Sequence, residues 1–313
     1  MKDLPASIKA RLMNLARAQG IDFNRVQLLY VQERFLARLA SGPHRDQFVL
    51  KGGLYLYSRY GTLARPTKDV DFLGRATPSD VESVVQAVRE IISPELEDGV
   101  TFDPETVTGL VIKEDQEYEG VRVNLIGMLG RSRQPLQIDV GFGDAITAGP
   151  VKLEFPTLLN LDGLNAPTIL AYSIETVVAE KFEAMVSLGE VNTRFKDFYD
   201  IWKIAHTERL EATVLSEALE NTFTRRGTKL ERASSVFASE YASGRIVRDN
   251  GRSFVVKPIR THQQNSKTCS ARFRDCSSLS CLAMRLDAGN RHWQSGKMNR
   301  KQTITPRELS LTI

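Results

Sequence analysis

Asp69 and Asp71 stand one valine apart in the run Lys68–Phe72 (KDVDF), and their spacing is the first in the chain that invites chemistry. In an extended strand, residues two apart lie on one face, about 7 Å apart along the chain. Both acids then project to one side while Val70 and Phe72 turn to a core on the other. Like charges so placed repel, and a cation between them relieves the repulsion. Mg²⁺, which takes its oxygen donors from carboxylates and substrate phosphates, suits that place. A solvated strand with two exposed aspartates is the plain alternative, because an acid-x-acid pair alone is a short signal.

The surroundings of the pair sharpen the reading. Upstream, Gly52-Gly53 follow an apolar stretch and open a helical segment, a position where backbone N–H groups can approach phosphate oxygens. A plain turn would use the same glycines. Arg65 and Thr67, just before the acids, are candidates for phosphate contact, with Arg59 near them. Downstream, Asp139 lies in the alternating run Leu136–Val140, where Ile138 and Val140 face one way and Asp139 the other. Carboxylates from two strands behind a phosphate-cradling turn make a two-metal phosphoryl-transfer site, with Asp69, Asp71 and Asp139 as ligands.

A second group lies further on. Ile174, Val178, Lys181 and Met185 share one helical stripe, so Lys181 interrupts an apolar face. Such a lysine either reaches out to water or meets an anion, because burying its charge unpaired is costly. If it meets a triphosphate, alanine there should weaken NTP binding, while methionine would complete the stripe and stabilise the unliganded fold. Asp197 and Asp200 stand one turn apart in RFKDFYDIW and can either orient Lys181, contact a nucleotide or face solvent. The aromatics Phe195, Phe198, Tyr199 and Trp202 have helical spacing and read as core before base-stacking platforms.

These residues need elements to position them. Periodicity predicts helices over 6–19 and 25–40, a helix or turn over 53–61, and a helix over 79–93 capped by Ser79-Asp80 and stopped by Pro94. Strands are predicted at 68–72, 107–113, 120–129 and 135–142, and helices dominate from Ser173 onward. The division expected is an α/β domain with N-terminal helices over 1–160, a helical part over 161–232 that completes a nucleotide site, and an irregular basic tail over 233–313.

Charge divides the chain at about the same place. Residues 234–313 carry 14 Lys and Arg against 5 Asp and Glu, while residues 1–233 carry 28 against 33. The overall +4 therefore says nothing about nucleic-acid binding by the body. The tail keeps no lasting hydrophobic period and reads as disordered or as a frameshift product. Three cysteines, all in that tail, give neither a disulfide framework nor zinc-finger spacing. No apolar run reaches the ~20 residues of a membrane span, and the N-terminus lacks a secretory apolar core, so a cytoplasmic place is expected.

The run LKGGLYLYSRYGTLARPTKDVDF resembles the AbiEii/AbiGii toxin family within the polymerase-β-like nucleotidyltransferase superfamily. The resemblance takes in Gly52-Gly53, the segment Arg65–Phe72, Lys181 in AEKFEAM and Lys196–Asp200, in that order, and covers about residues 25–230 as far as TFTRRGT. It implies an α/β nucleotidyltransferase core with a mixed sheet and a helical part. It implies Asp69, Asp71 and Asp139 as catalytic metal ligands, and Gly52, Gly53, Arg65, Thr67, Lys181, Asp197 and Asp200 at the nucleotide. The reaction implied is Mg²⁺-dependent transfer of a nucleoside monophosphate from an NTP to a hydroxyl, with the tRNA 3′ end as first candidate acceptor and an antitoxin as cognate partner. Two alternatives differ in class: a non-catalytic nucleotide- or RNA-binding remnant, and a glycosyltransferase that uses its acid pair to hold a nucleotide sugar.

Overall fold

The computed structural model describes residues 3–113, 119–161, 163–188, 195–229 and 303–304. The tail reading, apart from Thr303 and Ile304, lies outside these residues. The chain forms two compact units, Met1–Ser173 and Ile174–Ile313.

The first unit opens with α1 (Leu4–Gln19) and α2 (Phe23–Ser41). The carboxylates of Asp3 and Asp22 cap them by accepting from Ala6 N–H and Arg25 N–H, as short acceptors do at helix starts. Then come β1 (Phe48–Lys51), α3 (Gly52–Tyr60), β2 (Asp69–Gly74) and α4 (Val81–Ile92), the last capped by Asp80. The strands β3 (Val100–Phe102), β4 (Thr108–Lys113), β5 (Glu119–Leu129), β6 (Ser132–Phe142), β7 (Val151–Glu154) and β8 (Thr168–Ala171) complete it.

All eight strands join one mixed sheet in the order β3-β5-β6-β2-β1-β8-β7, with β4 also paired to β5. The central pair β2 and β6 is parallel, and β1 and β5 flank it antiparallel. One face is apolar: Leu50, Phe72, Val140 and Val121 form one rank across it, and Val70, Ile138 and Val123 the next. Helices α2 and α4 pack on this face, with Phe35 against Phe72 at 6.4 Å and Phe48 against Phe72 at 5.7 Å. Strand alternation therefore sends Lys51, Asp71, Asp139 and Arg122 to the other face.

Under the sheet, α2 carries a buried ion pair. Arg38 donates to Asp98 at 2.8 and 3.3 Å and to the Val100 carbonyl at 2.8 Å, and Tyr30 donates to the Asp98 carbonyl. Glu33, beside Arg34, also accepts from Leu158 N–H at 2.8 Å. Burial pushes the Glu33 carboxyl above its ordinary range, with Arg34 opposing. These contacts tie α2 to the loops at Asp98 and Leu158.

In the second unit α5 (Ile174–Leu188) packs on α6 (Phe195–Thr207) and α7 (Ala212–Arg225), with Phe182 against Phe223 at 5.8 Å. The short strand β9 (Leu210–Glu211) pairs with β10 (Thr303–Ile304).

The helices and the four predicted strands stand where periodicity put them, within a few residues. Strands β1, β3, β7 and β8, of three or four residues each, and the two-residue β9 are additions, and β8 carries the sheet to Ala171. The aromatic reading of α6 needs correction: Trp202 is 40% exposed and Tyr199 half-buried, because Ile201 and Ile204 take the inward positions.

Candidate active site

Four neighbouring strands place one charged residue each in a single rank. Lys51 on β1 stands opposite Asp71 on β2, Asp71 beside Asp139 on β6, and Asp139 opposite Arg122 on β5. The adjoining rank holds Asp69, Gln137 and Asn124. Strands in a sheet lie about 4.8 Å apart, so the three aspartates share one patch.

Asp139 is 6% exposed and its carboxylate is held from two sides. Arg122 donates through Nε to Oδ1 at 2.8 Å and through Nη2 to Oδ2 at 2.7 Å, a parallel fork. Gln137 Nε2 donates to the same oxygens at 3.3 and 3.1 Å. The hydrogen bonds to Asp139 hold the Arg122 guanidinium protonated beyond its usual range. Partial burial opposes this, and the charges of Asp139, Asp69 and Asp71 add to it.

The Gly-Gly turn closes on this patch. Gly52 has φ +70°, and a Cβ there would lie 1.9 Å from Asp71 Oδ2. A Cβ on Gly53 would lie 2.7 Å from Thr67 Cβ and 3.3 Å from Arg65 Nη1. The structure thus brings Gly52, Gly53, Arg65, Thr67, Asp69, Asp71 and Asp139 into one neighbourhood. The N-terminus of α3 begins at Gly52 with no side-chain cap from Lys51, and helix starts of this kind favour anions.

Lys51 and Asp144 complete the rank's edge. Lys51 Nζ donates to Asp144 Oδ2 at 2.9 Å with both side chains 8% exposed. Neither residue, nor the role of Arg122, is part of the sequence reading. The register that finds Arg122 was nonetheless available: β5 and β6 join through the two-residue turn Gly130-Arg131, so Leu129↔Ser132 runs back to Arg122↔Asp139.

Lys181, Asp197 and Asp200 come together within the second unit. Lys181 Nζ donates to Asp197 Oδ1 at 3.0 Å and Asp200 Oδ2 at 2.6 Å, with side chains 10%, 3% and 2% exposed. The lysine meets anions of its own chain, so the stabilisation expected of methionine at this position no longer follows. Beside it Glu183 accepts from Arg226 at 2.9 Å and from the Thr228 hydroxyl.

Among the described residues no three His, Cys, Asp or Glu side chains converge as a ready metal-binding group. At the sheet, Arg122 and Gln137 engage both oxygens of Asp139. The donor set still fits a hard cation. It is all carboxylate oxygen, Asp69 and Asp71 share one face, and glycine at position 52 lets the turn close on Asp71.

A mixed sheet with an acid pair on its central strand, a third acid in register on the parallel neighbour and a Gly-Gly turn opening a helix before them suits nucleotidyl transfer. The chain belongs to the AbiEii family, the nucleotidyl transferase toxins of type IV toxin–antitoxin systems, whose model matches residues 34–268. It is a nucleotidyltransferase toxin, and the system implies an antitoxin as partner. The chain is also similar to MenT4, a nucleotidyltransferase toxin from Mycobacterium tuberculosis H37Rv, at 22% identity over 66% of this chain and 68% of that one, with a TM-score of 0.45. JHP933 from Helicobacter pylori matches at 16% identity over 68% and 88%, with a TM-score of 0.36. The antibiotic-resistance factor ANT(2″)-Ia matches at 15% over 69% and 93%, with a TM-score of 0.30. No curated protein matches the chain. Among the described residues no helix is long and apolar enough to cross a membrane. Family membership sets the glycosyltransferase alternative aside.

Proposed function

We propose that the chain transfers a nucleoside monophosphate from an NTP to a hydroxyl of an RNA acceptor, the tRNA 3′ end first, with Mg²⁺ at Asp69, Asp71 and Asp139. The observation that carries this reading is the register Asp71↔Asp139 on parallel strands, with Gly52 pressed against Asp71. Bound Mg²⁺ would supply Lewis-acid activation of the attacking hydroxyl and offset phosphate charge.

The chain's own residues do the rest. Asp69 and Asp71 offer oxygen donors on one face, and Asp139 shares its oxygens with the Arg122 fork. The start of α3 at Gly52-Gly53, with Arg65 and Thr67 against it, offers N–H groups and a cation to phosphate oxygens. Lys181, with Asp197 and Asp200, is proposed to contact a nucleotide. The setting is the cytoplasm, where NTPs and tRNA are available, and the toxin acts there until its antitoxin opposes it.

The test is label transfer from each α-labelled NTP, with and without Mg²⁺, to total RNA, total protein and small hydroxyl compounds. Label on RNA that requires Mg²⁺ and is lost in Asp71→Asn supports the reading. Label on protein or on small molecules replaces the acceptor, and metal-independent transfer removes the Mg²⁺ assignment.

A further inference from the structure

The rank that holds the acids does not end at Arg122. Strand β4 pairs antiparallel with β5, so that Leu110 stands opposite Arg122 and Thr108 opposite Asn124. Directly opposite residues in such a pair share a face. The other face of β4 is marked by Gly109, where an added Cβ would lie 2.5 Å from Val85 and 2.7 Å from Val81 of α4. Leu110 and Thr108 therefore look out on the side of Asp71 and Asp139, and Leu110 is 48% exposed there. Asn124 joins the rank of Asp69 and Gln137. Its side chain is half-buried, and among the described residues no hydrogen bond engages its amide.

A single exposed leucine is ordinary on a protein surface. Its position beside the acids sets Leu110 apart. The Gly52-Gly53 turn, Arg65 and Thr67 flank the acids on the β1 side; Arg122, Asn124 and Leu110 flank them on the β5–β4 side. The attacking and leaving oxygens of a phosphoryl transfer lie roughly in line across the phosphorus. With the triphosphate at the glycine turn, the attacking hydroxyl arrives from the opposite side, over β5. Leu110 is two strands from Asp139, about 10 Å at the usual strand spacing. The Arg122 fork is matched by Asp139, so the corner beyond it selects by shape and hydrogen bonding rather than by charge. It offers an apolar contact beside a neutral amide that both donates and accepts. A nucleobase has both counterparts, an apolar face and a hydrogen-bonding edge.

We propose that this β4–β5 corner is the acceptor subsite, where the 3′-terminal nucleoside of an RNA lays its base on Leu110 and the base edge on Asn124, with its ribose toward Asp139. The inference rests on the reading that the acceptor is RNA, and it gives the end of that acceptor a place.

The probe is a 5′-labelled single-stranded oligoribonucleotide, read by anisotropy beside a copy whose 3′-terminal base has been removed. The wild type should bind the intact strand about tenfold more tightly, the order expected from covering an exposed leucine and a base face together. In Leu110→Ser that difference should vanish, and in Leu110→Phe it should remain. Asn124→Leu should lose about tenfold of the preference among the four terminal bases. In label transfer, Leu110→Ser should raise KM for the acceptor about tenfold, with NTP affinity and melting temperature unchanged. Equal binding of intact and abasic strands by the wild type overturns the subsite, while label on RNA still upholds RNA as acceptor. A tenfold difference that persists in Leu110→Ser overturns it as well. Weaker NTP binding in Leu110→Ser overturns it in favour of the donor's base. Label on protein or on small hydroxyl compounds but not on RNA refutes the RNA reading, and the nucleoside assignment falls with it.

Discussion

An alanine at position 52 would carry its Cβ to 1.9 Å from Asp71 Oδ2 and 2.6 Å from Asp71 Cγ. Ordinary contact begins near 3.4 Å, so the carboxylate or the start of α3 must withdraw by about 1.5 Å. A misplacement of about 1 Å costs about 100-fold in rate where geometry is set by positioning. The backbone penalty is separate: φ of +70° costs a non-glycine residue about 1–2 kcal/mol. For a domain the size of Met1–Ser173 that lowers the melting temperature by about 2–8 °C. Gly20→Ala is the matched control, because Gly20 also has positive φ (+64°) and nothing lies within 4 Å of an added Cβ. Melting curves and label transfer on both variants separate the two effects. Similar losses of melting temperature are expected, with about 100-fold loss of activity in Gly52→Ala only. Equal activity in the two variants would refute the claim that Gly52 is required by Asp71.

Other outcomes follow from particular contacts. Arg122→Lys keeps the charge and loses the fork on Asp139; turnover should fall about 10–100-fold with little change in KM for the NTP, read by steady-state kinetics. Lys181→Met removes the cation shared by two buried carboxylates and should destabilise the fold by about 3–5 kcal/mol in urea unfolding, with recovery when Asp197→Asn and Asp200→Asn are added. Arg38→Ala should cost a similar ~3–5 kcal/mol, because it leaves Asp98 buried without its cation. Glu33 has its folded pKa raised by burial, so its contribution to stability is present below the ordinary carboxylate range and is lost as pH rises through the raised value. Glu33→Gln should therefore flatten the decline of urea midpoints across that window, and a parallel decline in both proteins would contradict it.

Much of the site was legible because strand alternation acts locally. Asp69 and Asp71 on one face, and Asp139 opposite Ile138 and Val140, need only a period of two. The register between β2 and β6 is another matter, since parallel strands far apart in sequence carry no turn that fixes their pairing. Strands β1, β3, β7 and β8 were lost because three or four residues are too few to show a period. Lys181 stood out as a charge in an apolar stripe, but the sequence could not choose its partner; α6, one short connection away, supplies it. Trp202 was misjudged because helical spacing of aromatics names a face without saying which way the face turns. The inward positions went to Asp197, Asp200, Ile201 and Ile204, and the rings were left outside.

Asp69, Asp71 and Asp139 are proposed to form a metal-dependent nucleotidyl-transfer centre, with Asp71 and Asp139 in register. The most direct measurement is the rate of pyrophosphate release from NTP in the presence of acceptor RNA and Mg²⁺, for the wild type and for Asp69→Asn, Asp71→Asn and Asp139→Asn. Each substitution removes one carboxylate charge with almost no change of shape. Mg²⁺-dependent release is expected in the wild type, loss to background in the two β2 variants, and severe loss in Asp139→Asn, all with near-normal melting temperatures. Wild-type-like release from a folded Asp71→Asn chain would contradict it.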